Sequence, residues 1–372
     1  MKKASKLIAI LLCVAMFACI ASGCGSGNDP SSSASNTPNE DGNYLDNEPL
    51  RVGTMPHQMG VSLYYADKHG LFEEAGINVE VPVFSGGTAI NEAIGAGELD
   101  GAISGLACVY SLANGLVKMV GEVDTVGSDS IVVRNDSDIL TAKGEIEGKP
   151  DMYGSAETLR GKSFVCQVGQ AQQFYALKYI SQFGLTEDDI TFINMEDAAG
   201  AQAFMTGNGD VISTKMPYNY DMVVTDGGYT TVATVEDATG IEIKDPVLFT
   251  PDAIENRRDE IVIFLQVIWE LIDQWANDYE AYKEAVHEFY NDNGKEFDEE
   301  QIDYEFSQNR LLSSEAISSS DYFMGDGMQS VADFYGETGA IAPENVDNVY
   351  KNYDTSLLEE ALGITVQAFT KE

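Results

Sequence analysis

Leu50-Arg51-Val52-Gly53-Thr54, then Val61 to Ala75 with apolar residues at helical spacing, then Ile77-Asn78-Val79-Glu80-Val81, is the stretch that decides the fold. A short strand, a helix and a second, alternating strand in succession predict parallel strands joined by a helical crossover. Outward from it, Ser85-Gly86-Gly87-Thr88 leads into a helix over Ala89 to Gly95, Leu99 to Ser104 reads as a third strand, and another helix opens near Leu106. The same order returns later: a strand at Ser163 to Gln167, a helix at Ala171 to Phe183, a strand at Ile190 to Asn194, a helix at Ala198 to Met205, and the strand Val211-Ile212-Ser213. Its landmarks repeat too. Gly70-Leu71 and Gly184-Leu185 close corresponding helices at an offset of 114 residues, and Gly97-Glu98-Leu99-Asp100 matches Gly207-Asn208-Gly209-Asp210 at 110. Two similarly built α/β lobes follow, each a mainly parallel sheet flanked by helices.

Beyond Pro246-Val247-Leu248-Phe249, Thr250 and Pro251 form an N-cap and first-turn pair expected to open a long helix. The stripe Ile261, Phe264, Leu265, Ile268, Leu271, Ile272, Trp275 keeps helical spacing and reads as core. The remainder reads as helices with polar breaks, packing back on the first lobe.

The chain has 372 residues and a net charge of −40, from 21 Lys+Arg against 61 Asp+Glu. So acidic a chain repels phosphate backbones, which argues against a nucleic-acid partner. Because 44% of it is apolar, it can nonetheless bury a core. Met1 to Lys6 is a basic segment and Leu7 to Ile20 an apolar run of 14 residues, too short to span a bilayer. Ala21-Ser22-Gly23-Cys24 follows and resembles a bacterial lipobox, so residues 1–23 are expected to be a leader, with Cys24 lipidated and holding the protein outside the cell membrane. A plain secretory cut near Ala21 is the alternative. Without Lys2, Lys3 and Lys6 the exported part carries −43. Residues 24–49, rich in Gly, Ser, Asn, Asp and Pro, read as a flexible tether. Cys108 and Cys166 are then the cysteines of the folded part, expected as buried thiols in different lobes.

Chemistry has few footholds. There are three histidines, His57, His69 and His287, and no nucleophile elbow, Walker A loop, dinucleotide fingerprint or Cys/His zinc spacing. Asn291-Asp292-Asn293-Gly294 reads as a turn rather than a calcium loop, because Phe289 stands at the first ligand position. No cofactor, metal or catalytic residue is expected. Open α/β sheets place ligands at the carboxyl ends of their strands. Five loops lie there: Met55-Pro56-His57-Gln58, Ser85-Gly86-Gly87-Thr88 and Ser104-Gly105 in the first lobe, Gly169-Gln170-Ala171-Gln172 and Lys215-Met216-Pro217-Tyr218 in the second. Three of them put Gly, Ser or Thr where a helix begins, exposing free N–H groups at the positive end of a helix dipole, a geometry that suits oxyanions. Recurrence in both lobes points to a shared cleft.

These residues also carry a resemblance. Gly53-Thr54-Met55-Pro56, Tyr65-Ala66-Asp67-Lys68-His69-Gly70-Leu71-Phe72, Ala75-Gly76-Ile77-Asn78-Val79, Ser85-Gly86-Gly87, Ala96-Gly97-Glu98-Leu99-Asp100, Leu159-Arg160-Gly161-Lys162 and Met216-Pro217 appear in consistent order over residues 50–250. Together they resemble the solute-binding proteins of sulfonate, taurine, nitrate and thiamine-pyrimidine-precursor importers. The resemblance implies a two-lobed, type II periplasmic-binding fold whose ligand is handed to an ABC permease, with crossovers near Ile131-Val132-Val133 and Val247-Leu248-Phe249. It sets lobe 1 at 50–131 plus 249–372 and lobe 2 at 132–248, with 142–156 as an extra loop and the protein a monomer. On this reading Ser85, Gly86, Gly87 and Thr88 donate to an anionic head group, with Lys215 as charged partner and His57 as second donor. Tyr218, Phe174 and Tyr110 cover an apolar or aromatic body. No arginine falls in the loops, which disfavours bidentate grip of carboxylate or phosphate, and Gln58, Gln167, Gln170 and Gln172 could read a heterocycle's edge. A sulfonate-bearing solute is the first expectation and a heteroaromatic such as a thiamine pyrimidine precursor the alternative. An enzyme of the family's pyrimidine-making branch is disfavoured, since its cysteine-rich motif is missing.

Overall fold

The computed structural model describes residues 37–40 and 42–371. The leader, Cys24 and the first part of the tether lie outside the described residues.

Among the described residues, ten strands form two five-stranded sheets. The first sheet has the order β2-β1-β3-β10-β4, from β1 Leu50–Gly53, β2 Val79–Glu80, β3 Gly101–Ile103, β4 Lys118–Val126 and β10 Ile243–Phe249. The second has the order β7-β6-β8-β5-β9, from β5 Ser130–Arg134, β6 Ser163–Cys166, β7 Thr191–Asn194, β8 Val211–Thr214 and β9 Tyr229–Thr234. In each, a parallel trio is followed by an antiparallel strand that arrives from the other half of the chain: β10 against β3, and β5 against β8. The internal repeat read from the sequence is thus a repeat of topology, closed by exchanged strands.

The second crossover falls earlier than expected. Val247-Leu248-Phe249 pairs with β3 and β4 throughout, so residues 243–248 belong to the first sheet, and the chain changes lobes between Thr234 and Ile243. At the first crossover, Ile131-Val132-Val133 already pairs inside the second sheet, leaving residues 127–129 as the link. Asn309 holds that link: its side-chain oxygen accepts from the N–H of Gly127 at 2.6 Å and of Ser128 at 3.0 Å.

The tether ends sooner than its composition suggests. Tyr44 is buried, bridges to Ile77 and donates its hydroxyl to Asp259 at 3.0 Å, while the Arg257 guanidinium donates to the carbonyls of Glu48 and Pro49. One aromatic anchor is enough to dock a polar segment. Arg257 also corrects the helix after Thr250. Thr250 does cap the chain, accepting from the Ala253 N–H, but the helix it opens is only Pro251–Asn256. Arg257 breaks the spiral (φ −130°) before the long helix Arg258–Asn277, and its side chain ties the break to Glu260. The long helix buries the expected stripe, with Trp269 fully enclosed and Trp275 nearly so. The C-terminal helices share one core with the first sheet. Cys108 and Cys166 are free and buried, one in each lobe.

Candidate functional site

Loops leaving both sheets meet over one cavity. Of the residues expected there, Met55, His57, Gln58, Ser85, Gly86 and Gly105 line it from the first lobe, and Gln170, Gln172, Lys215 and Met216 from the second. Pro56 and Tyr218 line a neighbouring pocket that shares His57, Ser85 and Lys215. Thr88 stands behind the mouth, where its hydroxyl accepts from the Gln170 side-chain amide at 2.9 Å, a direct latch between lobes. Gly87, Ser104 and Gly169 do not line the cavity. Gly169 takes a left-handed turn (φ 83°) that only glycine adopts freely, and its N–H is used by the Gln173 side chain at 2.8 Å.

Two expected residues are core. Phe174 is fully buried, edge-on to Phe334 and Tyr335, and Tyr110 stacks on Tyr335 at 5.6 Å. The reason is helical phase. In Ala171–Ser181 the face turned to the cavity carries Ala171, Gln172 and Tyr175, one turn apart, so Tyr175 takes the place assigned to Phe174.

The mouth is rich in donors. The helices Gly87–Gly95 and Ala171–Ser181 begin there, and Asp197–Met205 begins at the neighbouring pocket, all without a side-chain cap, which leaves first-turn amides free for a ligand. Lys215 is ion-paired with Asp197 at 2.7 Å and reaches His57 Nε2 at 3.2 Å, while Lys295 reaches His57 Nδ1 at 3.0 Å. Burial, then the two lysine charges, hold the His57 imidazole well below its usual range, so the ring is neutral. A neutral imidazole offers one donor and one acceptor. Two lysines thus flank a ring with a single acceptor nitrogen, so one of them meets a ring N–H. Lys215 is already ion-paired, whereas burial and the Lys215 charge bring Lys295 down to about 7, which makes Lys295 the lysine that gives up its charge more readily.

The floor is the opposite, and sequence reasoning missed it. Asp124 and Asp245 face each other across β4 and β10, whose register pairs them, and Asp129 is the last residue of the crossover link. Glu305 comes from the helix Glu299–Gln308. All four line the cavity and all are buried. Burial raises every one: Asp129 to about 7, Glu305 upward, and Asp124 and Asp245 upward together. The available signal was an acid inside an apolar strand, as in Val120-Gly121-Glu122-Val123-Asp124 and Ile243-Lys244-Asp245-Pro246. A β-bulge divides the two acids of β4, because Asp245 pairs with Asp124 while the next residue, Pro246, pairs with Glu122; on β10, alternation separates Lys244 from Asp245. Asp124 and Asp245 turn to the cavity, whereas Glu122 accepts from the Tyr322 hydroxyl at 2.8 Å and Lys244 pairs with Asp326.

Residues 44–288 match the model of the NMT1-like family. The chain belongs to that family. Among similar proteins, the NMT1-like chain is 27% identical over 365 residues to a protein of Brachyspira hyodysenteriae described as a candidate ABC transporter periplasmic binding protein, covering 97% of this chain and 100% of that one. Solved structures with the same fold include the alkanesulfonate-binding protein SsuA from Xanthomonas axonopodis pv. citri bound to MOPS, at TM-score 0.61 and 18% identity, covering 82% of this chain and 98% of that one. The periplasmic nitrate-binding protein NrtA from Synechocystis PCC 6803 superposes at TM-score 0.62 and 14% identity, over 86% and 90% of the two chains. At such identities the likeness is one of fold: this NMT1-like chain has the two-lobed architecture of periplasmic binding proteins, as the resemblance in its sequence implied.

Proposed function

We propose that this protein is the extracytoplasmic solute-binding component of an ABC importer, held at the membrane by a lipid on Cys24, closing on one small organic solute and presenting it to a permease. The observation that carries the reading is the cavity itself, to which loops of both sheets contribute and across which Gln170 and Thr88 latch directly. A site divided between lobes that are joined by two links can open by hinge motion and close on its ligand. The full-length likeness to the Brachyspira protein supports it. The reading involves binding and release without bond making.

For the solute, the donor-rich mouth favours an acceptor or anionic head group such as a sulfonate, and the amides of Gln58, Gln167, Gln170 and Gln172 favour a heteroaromatic body. A thermal-shift screen of sulfonates, nitrate and amino-substituted pyrimidines tests this, with X-ray scattering of the best binder. Stabilisation with a contracted radius of gyration is expected; stabilisation without contraction rules out closure as the mode of capture.

A further inference from the structure

The mouth and the floor of the cavity want opposite chemistries. Each floor carboxyl has few protein donors. Asp129 accepts from the Gln172 amide at 3.0 Å and Glu305 from the Tyr290 hydroxyl at 3.0 Å. One oxygen of Asp124 is buried with no partner, and so is the hydroxyl of Tyr175, which is 1% exposed, lines the same cavity and lies in electrostatic reach of Asp129 and Asp245. Unpartnered buried polar groups are costly, and several converging on one cavity describe a site awaiting donors. The positive charge nearby is already engaged or weakened: Lys215 is paired with Asp197, and Lys295 sits against His57 with burial disfavouring its charge.

Resting on the capture reading above, we propose that the solute carries a protonated nitrogen, an ammonium or amidinium group, which enters first and seats on the floor formed by Asp124, Asp245 and Asp129, with Glu305 and the Tyr175 hydroxyl at its edge. Such a group offers several N–H donors and one positive charge, which matches acceptors on three sides. Among the described residues no His, Cys, Asp and Glu cluster is arranged to hold a metal ion, and a nitrogen cation can span carboxylates spaced more widely than metal ligands. A head group at the other end would meet the helix N-termini of the mouth, so the cavity reads a solute from end to end.

The proposal has a second consequence. Burial makes the carboxyls of the empty floor hold protons more tightly than free carboxyls do. The groups facing them are Tyr175 from Ala171–Ser181, Tyr282 and Tyr290 from Tyr279–Asp292, Lys215 and Asp197 from the second lobe, and Lys295, Cys108 and His57 from the first. Glu122 acts on the Asp124/Asp245 pair from within the first sheet. A cation makes the ionised carboxyls favourable again, so its entry expels protons.

The test uses matched probes: n-butylamine, n-butanol and butane-1-sulfonate, and the benzyl series of amine, alcohol and sulfonate, at millimolar concentration. Calorimetry at pH 7 in two buffers of different ionisation enthalpy reads affinity and proton release together. The amine is expected to bind at least about tenfold more tightly than its alcohol, the size of one charge-assisted hydrogen bond, with heat that changes between buffers. In the Asp129→Asn/Asp245→Asn double variant that preference is expected to vanish. If the double variant does not fold, the buffer dependence of the native protein still decides. A sulfonate or alcohol that binds as tightly as its amine, or amine binding without proton release, overturns the inference and leaves the capture reading standing. Failure of all six probes also overturns it, and the capture reading falls with it only if protein purified from its host carries no small molecule.

Discussion

Replacing Asp129 by Asn should stabilise the empty protein much more at pH 8 than at pH 5. Asp129 sits at the crossover, buried, accepting from Gln172; an Asn side-chain oxygen can take the same hydrogen bond, so the substitution removes mainly a titration. Burial, opposed in part by Lys215, raises the carboxyl from 3.8 to about 7. A carboxyl raised in the folded state is protonated there while the unfolded chain has already ionised, so its cost grows as pH climbs from 3.8 and levels off above about 7. With one pKa unit equal to about 1.4 kcal/mol, that cost is about 2 kcal/mol at pH 5 and about 4 kcal/mol at pH 8. The variant's advantage should therefore widen by about 2 kcal/mol between the two pH values. Urea denaturation of both proteins at pH 5 and pH 8 measures this difference, and a shared m-value certifies that only stability has changed. An advantage equal at both pH values would refute the buried-acid reading.

Other expectations follow from the same geometry. In the unaltered protein, stability should fall as pH rises from about 4 to 7 as the floor acids come under strain. It should ease above about 7, where Lys295, lowered by burial, sheds a charge that costs the folded state; stability rising steadily from pH 4 to 7 contradicts this. Lys215→Ala should weaken butane-1-sulfonate by about tenfold and leave n-butylamine unchanged or tighter in calorimetry. Gly101→Ala places a Cβ 2.5 Å from the Leu248 carbonyl oxygen and the Phe249 ring, and overpacking of that kind in the first sheet should cost about 3 kcal/mol by urea midpoint. Gln170→Ala removes the amide that Thr88 accepts, so ligand off-rates by stopped flow should rise with little change in melting temperature.

The parallel trios were legible because their strands are short, apolar and separated by glycines that turn the chain, Gly70 at φ 73° and Gly184 at φ 71° among them. What escaped is non-local. The residues Val247-Leu248-Phe249 read equally well as the end of one lobe or the start of the other; only their pairing with β3 and β4 decides. The same blindness hid the cavity floor. Asp124 and Asp245 lie far apart in sequence and become a pair only when the exchanged strand β10 lies beside β4. The mouth was legible because glycine and serine before a helix have a local meaning. Tyr110 and Phe174 were misplaced because aromatic residues near a loop serve core and ligand alike, and one residue of helical phase decides.

The acidic balance also takes on meaning. A net charge of −40 argues against nucleic acid, and it suits the proposed receptor, whose cavity is lined with carboxyls, since a negative field draws a cation toward the cleft.

Mass measurement under native conditions, on protein purified from its own host, tests the capture reading most directly. One small molecule per chain is expected, lost on denaturation and bearing a basic nitrogen. A bare chain, together with no change in melting temperature for any of the six probes, would contradict it.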